Sequence, residues 1–461
     1  MRTRRIVLVL GALVALLAMG AGAVRLRARW RTLPPNVILI VLDTLRADRV
    51  GTWNPSSRLT PFLDELAAGA IVYERAYAAS SWTIPSVASI FVGEYPSEHQ
   101  VVTMNAVLPY GAVTLAEALA ERGYLGGGFS ANFQVSAESG FGQGFKDYRT
   151  LFRDPKEDAA EVNRAALDWL EYVSTERRPF FLYLQYMEPH GPYRFHAGIT
   201  AERGPDVGID DDTLGKRVTK GGWQLAPTNP MPTEWDFTPA ERRRLGELYD
   251  GEVAYLDQML RRLFGELERR GRLADTLVVV TADHGEEFGE HGPYGHGATL
   301  FEPGIHVPLF IRLPGRTTPV RVSRPVTLAG IAPAVLHQLG FAVPASFRVP
   351  AIPLATEPTA GDASYAFAES ADEGPSVLRF HQRAVVGQAH KMVVRKDGGH
   401  VFYDLASDPG EMQALATPPF AGELQQELVR FASALGTPAE RLSPPVDAAT
   451  RQRLRALGYG G

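Results

Sequence analysis

The chain has 461 residues, 45% of them hydrophobic, no cysteine and a formal net charge of −5. This excludes disulfides, thiolate metal sites and a cysteine nucleophile, and it excludes a disordered or fibrous protein. Arg2, Arg4, Arg5, Arg25, Arg27, Arg29 and Arg31 stand in the first 31 residues with no acid among them, so the rest carries −12; an acidic body offers nothing to a polynucleotide, and no nucleic-acid partner is expected.

Ile6 to Val24 is an apolar run of 19 residues behind a basic start. A bilayer needs roughly 20 residues, and a cleaved signal has an apolar core of about 7–15. Residues 1–24 therefore read as a membrane anchor, with cleavage near Ala21-Gly22-Ala23 as the alternative. Anchored, the body would sit on the exported (periplasmic or extracellular) side of the cell membrane; cleaved, it would be secreted. Residues 25–35 read as a linker.

The globular part opens with Val37-Ile38-Leu39-Ile40-Val41-Leu42, a continuous apolar run that suits a strand buried on both faces. Thr114 and Glu117 form a capping box ahead of Leu115 to Arg122, with Gly123 as the stop. A second buried strand is expected at Phe180 to Leu184. Arg194 to Phe237, rich in Gly, Pro and Asp, reads as an inserted loop over the sheet edge: either a wall of a substrate pocket or a surface excursion. Thr238-Pro239-Ala240-Glu241 opens another helix, and the runs Leu277 to Val280 and Val307 to Ile311 are further strands. Alternating strands and helices predict an α/β fold with a central, mainly parallel sheet flanked by helices over 36–359. Beyond residue 360, Ala384 to Val386, Lys391 to Val394 and His400 to Tyr403, with Asp397-Gly398 as a turn, predict a smaller antiparallel sheet. A helix near Glu423 to Ala432 completes this C-terminal α+β subdomain, 360–461.

In such sheets ligands gather at the carboxyl ends of the parallel strands. Asp43 ends the first strand, Glu188-Pro189-His190-Gly191 follows the Phe180 strand, and Asp283-His284-Gly285-Glu286 follows the Val278 strand. One aspartate after a strand is commonly only a cap or turn former; three polar clusters at three strand ends form a candidate site.

In order along the chain, Asn36 to Asp48, Thr60-Pro61-Phe62-Leu63, Ser81-Trp82-Thr83-Ile84-Pro85-Ser86 with Gly93, Met187-Glu188-Pro189-His190, Asp283-His284-Gly285-Glu286, Gly295-His296-Gly297 and Tyr403 to Pro409 resemble the motifs of the sulfatase family. The resemblance runs from about residue 36 to the end. It implies an alkaline-phosphatase-like fold and a metal-dependent ester hydrolase, or a transferase that passes the group to an alcohol, with Thr83 at the nucleophile position. Asp43, Asp283 and His284 offer two oxygen ligands and one nitrogen, which suits manganese or zinc, with magnesium or calcium as alternatives. Thr83, at the expected start of a helix, would meet both that metal and the helix N-terminus, although on its own it is as readily a plain N-cap. His190 and His296 are the candidate general acids or donors to the substrate. His99 and His291 are weaker candidates that read as outer-shell or structural, and Arg46 as either an anion contact or an ion pair.

Three departures from the family pattern bear on the chemistry. The family's Cys-X-Pro-Ser-Arg, whose first residue is oxidised to formylglycine, is here Thr83-Ile-Pro-Ser-Val87; oxidised threonine would be a ketone. The second N-terminal aspartate is Thr44, and the late asparagine is His284. These changes resemble the threonine-nucleophile phosphoglycerol and phosphoethanolamine transferases of the superfamily. A phosphoester substrate is therefore expected first and a sulfate ester second, borne on a small molecule, glycan or lipid. A reading of another class is a non-catalytic protein that binds a glycan or lipid head group in the same pocket.

Overall fold

The computed structural model describes residues 33–151, 159–222, 236–354, 364–372 and 379–435. The apolar run Ile6 to Val24 lies outside them, and among the described residues no helix is long and apolar enough to cross a membrane. The described residues from Asn36 onward group as one compact unit.

Its centre is an eight-stranded sheet: β1 (Asn36–Leu42), β2 (Ile71–Tyr73), β3 (Leu125–Ser130), β4 (Asp147–Thr150), β5 (Phe180–Tyr186), β6 (Thr276–Ala282), β7 (Leu309–Arg312) and β8 (Val320–Val322), in the order β8-β2-β7-β6-β1-β5-β3-β4. β1 is central and parallel to both neighbours, with Leu39 opposite Tyr183 and Val279. Both its faces are covered, so Val37 to Leu42 are fully buried, as an unbroken apolar run requires. Only β7 runs against the rest, pairing antiparallel with β6 and β2. The predicted strand Val307 to Ile311 divides at Pro308, which lacks the N–H a continuous ladder needs: His306 and Val307 pair with Tyr77 and Ala76 in a small separate sheet.

Two strands of the main sheet, β3 and β4, carry no apolar run. β3 reads Leu-Gly-Gly-Gly-Phe-Ser, and a Cβ on Gly127 would lie 2.6 Å from the Trp169 ring. The glycine is there because a helix packs directly on the strand.

Among the helices that frame the sheet and its partner are α1 (Thr83–Val92), α2 (Ala159–Tyr172), α3 (Asp211–Gly222), α4 (Pro239–Arg269) and α5 (Ala421–Ala434). Thr238 caps α4 by accepting the Glu241 amide at 3.2 Å while the Glu241 carboxylate accepts the Thr238 amide, a reciprocal box. The stretch Arg194 to Phe237 is not all loop, since it contains α3. Its described parts pack on α4, where His196 meets Glu252 at 3.0 Å and Asp211 meets Arg244 at 2.8 Å, and beside the short strand Tyr294–Gly295, where Phe237 lies edge-on to Tyr294 at 4.7 Å and α3 adjoins the same strand.

The C-terminal strands β9 (Ala366–Asp372), β10 (Arg379–Val386), β11 (His390–Arg395) and β12 (His400–Asp404) form an antiparallel meander in sequence order. β9 is one strand more than the sequence suggests. Phe431 of α5 stacks on Phe367 at 4.1 Å and meets Tyr95 edge-on at 4.8 Å, so this sheet and the main unit share core.

Candidate active site

The carboxyl ends of β1 and β6 lie side by side, and the residues that follow them converge. Asp43 and Asp283 are both fully buried, as is His284. Asp43 Oδ2 accepts from Asn132 Nδ2 at 2.6 Å and from Gln185 Nε2 at 3.2 Å. Asp283 Oδ1 accepts the amides of Thr44 at 3.3 Å and His284 at 3.0 Å. Each carboxylate has its second oxygen, Asp43 Oδ1 and Asp283 Oδ2, without a hydrogen-bond partner. His284 Nδ1 donates to the Gly285 carbonyl at 2.9 Å, which turns the Nε2 lone pair inward, 3.8 Å from Asp43 Oδ1 and 3.6 Å from Asp283 Oδ2.

Two orphaned buried carboxylate oxygens and one imidazole lone pair, all within 4.8 Å of one another, fit a divalent cation. The electrostatics agree. Burial, then Asp283 beside it, drives the Asp43 carboxyl well above the usual range despite the Asn132 hydrogen bond. Burial also raises Asp283 to about 6, against the opposing pull of the Thr44 and His284 amides, and lowers His284 to about 3, so the imidazole is neutral as a ligand must be. A cation would relieve the cost of burying both carboxylates.

Thr83 is the first residue of α1, and its Oγ1 lies 3.2 Å from His284 Nε2. α1 is buried along its whole length and is seated by Ser86, whose hydroxyl donates to the Asp283 carbonyl at 2.5 Å. The helix that carries Thr83 is thus tied to the turn that carries His284. Thr44, where the family pattern has an aspartate, is held at φ 60°, a left-handed conformation costly for a β-branched residue. Its amide is thereby aimed at Asp283, and its buried hydroxyl has no partner.

Three imidazoles line one side. The His284 and His296 ring centres are 4.5 Å apart, and those of His190 and His296 4.9 Å. His296 Nδ1 faces Glu286 Oε1 at 2.7 Å. Burial alone would lower His296, but Glu286, Asp43 and Asp283 outweigh it and hold the ring above the ordinary histidine value. His190 Nδ1 bonds to the Gly191 carbonyl at 2.5 Å.

All six residues singled out from the sequence, Asp43, Thr83, His190, Asp283, His284 and His296, are therefore brought together. Arg46 is not an anion contact: it pairs with Asp48 at 2.8 Å and Glu290 at 2.6 Å. His99 bonds to Ser89 at 3.0 Å, and His291 stacks on Phe301 at 3.7 Å; both are structural. Glu188 turns aside, its Oε1 accepting the Ala159 amide at the start of α2. The sequence reading overlooked Asn132 and Gln185, the two amides that orient Asp43. Gln185 had a signal, as a buried polar residue inside the apolar strand β5; Asn132 had none, because it follows the glycine-rich β3.

A family model described as Sulfatase matches residues 35–341. Human iduronate 2-sulfatase is 25% identical over 378 residues, covering 68% of this chain and 66% of that protein. Against the mouse iduronate 2-sulfatase the chain spans 60% of the relative's length. A sulfatase of Formosa agariphila is 24% identical over 425 residues, covering 82% of each. Among solved structures, a 2-O GAG sulfatase aligns with a TM-score of 0.68 at 20% identity, over 92% of this chain and 94% of that one. The phosphonate monoester hydrolase SpPMH from Silicibacter pomeroyi aligns with a TM-score of 0.68 at 20% identity, over 90% and 100%. At these identities the structural likeness is one of fold.

Proposed function

The chain belongs to the sulfatase family, and from that premise we propose that it is a metal-dependent ester hydrolase whose nucleophile is Thr83. The observation that carries the reading is the convergence of four atoms, Asp43 Oδ1, Asp283 Oδ2, His284 Nε2 and Thr83 Oγ1, in one buried space. Asp43, Asp283 and His284 would hold a divalent ion, with Thr83 Oγ1 beside it. When bound, that ion supplies Lewis-acid stabilisation of the Thr83 alkoxide and of the ester's charge.

The residues of the chain do the rest. Thr83 Oγ loses its proton to water and attacks the phosphorus or sulfur in line. As the new bond forms, the bond to the leaving oxygen breaks, and that oxygen takes the electron pair. His296, oriented by Glu286 through Nδ1, or its neighbour His190 delivers a proton to that oxygen. Water then attacks the Thr83 ester, restores the hydroxyl and releases the inorganic anion. Asn132 and Gln185 hold Asp43 in place throughout.

A phosphoester is the first reading of the substrate, because threonine cannot become the aldehyde that formylglycine chemistry needs, whereas a phosphothreonine is an ordinary ester. A sulfate ester is the second, favoured by the names of the curated relatives, iduronate 2-sulfatase among them. A glycan, small-molecule or lipid carrier is compatible with both. We place the catalytic unit on the exported side of the cell membrane, on the apolar run Ile6 to Val24; membrane fractionation of the full chain with protease accessibility of the body checks this.

The test of the reaction is turnover of matched aryl phosphate, phosphodiester and sulfate esters with added manganese or zinc, for wild type and Thr83→Ala. Loss of roughly 10³-fold or more in Thr83→Ala, with metal still bound, is expected. Turnover that survives the substitution would overturn the nucleophile assignment. A metal-loaded chain inactive on every ester would leave the head-group or glycan binder as the better reading.

A further inference from the structure

The segment Glu286 to Phe301 presents His296, and its regular structure is two short strands, Glu287–Phe288 and Tyr294–Gly295, which pair with each other ahead of the short helix Glu302–Ile305. A hairpin this small does not hold its own geometry. Phe237 and Arg46 meet one side of it, at Tyr294 and Glu290, and the C-terminal sheet meets the other. Ser370 of β9 donates its hydroxyl to the carbonyl of Gly297, the residue next to His296, at 3.1 Å. Gln382 of β10 accepts the Leu300 amide at 3.1 Å. Glu411, beyond β12, accepts the Glu302 amide at 2.6 Å, and the Gly410 carbonyl receives His291 Nε2 at 3.0 Å. At the centre is Lys391 of β11, its side chain fully buried, with Nζ 3.2 Å from Glu302 Oε1 and 2.8 Å from Glu411 Oε1.

A lysine with no exposed surface between two carboxylates is costly to bury and strongly directional once paired. None of these bonds ends on a proposed metal ligand. Together they act on the segment that carries the proton donor and on the short helix that follows it.

We infer that the C-terminal sheet is a working part of the reaction centre: Lys391, paired with Glu302 and Glu411, together with Ser370 on Gly297, holds the segment that sets the position of His296. Lys391, Glu411 and Ser370 are then positioning residues. The inference rests on the reading of His296 as a proton donor. Its chemical consequence is selective, because a donor out of place slows the departure of a poor leaving group and hardly matters to a good one.

The experiment compares the full chain with Lys391→Met and Ser370→Ala. It measures amide hydrogen exchange over residues 290–300, bound manganese, and turnover of phenyl and 4-nitrophenyl esters of whichever acid, phosphoric or sulfuric, the wild type cleaves faster. Exchange in the segment should rise by about tenfold or more in Lys391→Met, with bound manganese unchanged. Turnover of the phenyl ester should fall about tenfold further than that of the 4-nitrophenyl ester. Ser370→Ala, the milder change, should show the same pattern at smaller amplitude and decides the matter should Lys391→Met not fold. Unchanged exchange, equal losses on the two esters, or loss of manganese would each overturn the inference. Were the wild type to cleave no ester at all, the functional reading would fall, while the exchange data would still show whether the sheet holds the segment.

Discussion

Burial without a partner marks the two carboxylates proposed as metal ligands and a third carboxyl with a different fate. Glu287 is fully buried; its Oε1 accepts from the Thr299 hydroxyl, and its Oε2 has no hydrogen-bond partner, with His291 Nδ1 3.9 Å away. Burial pushes this carboxyl from its ordinary 4.5 up to about 8, with the Thr299 bond opposing. The folded state thus holds the proton more tightly than the unfolded chain, so stability falls as pH rises from about 4.5 to about 8. Glu287→Gln removes this titration. Its Tm should equal or nearly equal the wild-type value at pH 5 and exceed it by about a few degrees at pH 9, in calorimetry at both pH values. A gap independent of pH would contradict the assignment.

The turn after β6 shows how an element can be constrained by one missing atom. A Cβ on Gly285 would lie 1.9 Å from the Pro303 carbonyl oxygen, and the Gly285 amide donates to the Gly304 carbonyl at 2.9 Å. The turn that aims His284 is pressed against the short helix Glu302–Ile305, so only glycine fits. Gly285→Ala should cost about 1–3 kcal/mol through forced backbone shift and weaken manganese binding, since His284 and Asp283 move with the turn. Thermal unfolding and a metal titration check the two effects separately; wild-type values in both would show that the contact is easily relaxed.

Across the whole molecule, the C-terminal sheet and the main sheet are joined by shared core as well as by polar tethers. Phe431, Phe367 and Tyr95 form one aromatic cluster with Ala79, Ala329 and Val349. A core divided between two layers favours loss of both together. Unfolding of residues 36–461 in urea should therefore give coincident curves by far-UV circular dichroism and tryptophan fluorescence. The five tryptophans within these residues, Trp53, Trp82, Trp169, Trp223 and Trp235, all precede the C-terminal sheet, so an early loss of that sheet would separate the two signals.

The sequence by itself determined the buried strands β1, β5 and β6, the capped helices, and the aspartates and histidines at the strand ends. Those signals are local: apolar runs need burial on both faces, and a polar residue immediately beyond one lies at the sheet's ligand-binding edge. It also carried the family resemblance, because Thr83, Asp283-His284 and Gly295-His296-Gly297 are short contiguous motifs. Only the tertiary structure decided what depends on distant residues meeting. The glycine-rich β3 is a strand because Trp169 packs against it, and Asn132 reaches Asp43 only because β3 lies next but one to β1 in the sheet. Arg46 turned out to be committed to Asp48 and Glu290, and Lys391 to two carboxylates from separate parts of the chain. Pairings of that kind are set by which strands become neighbours, and no local pattern of charge or hydrophobicity encodes that.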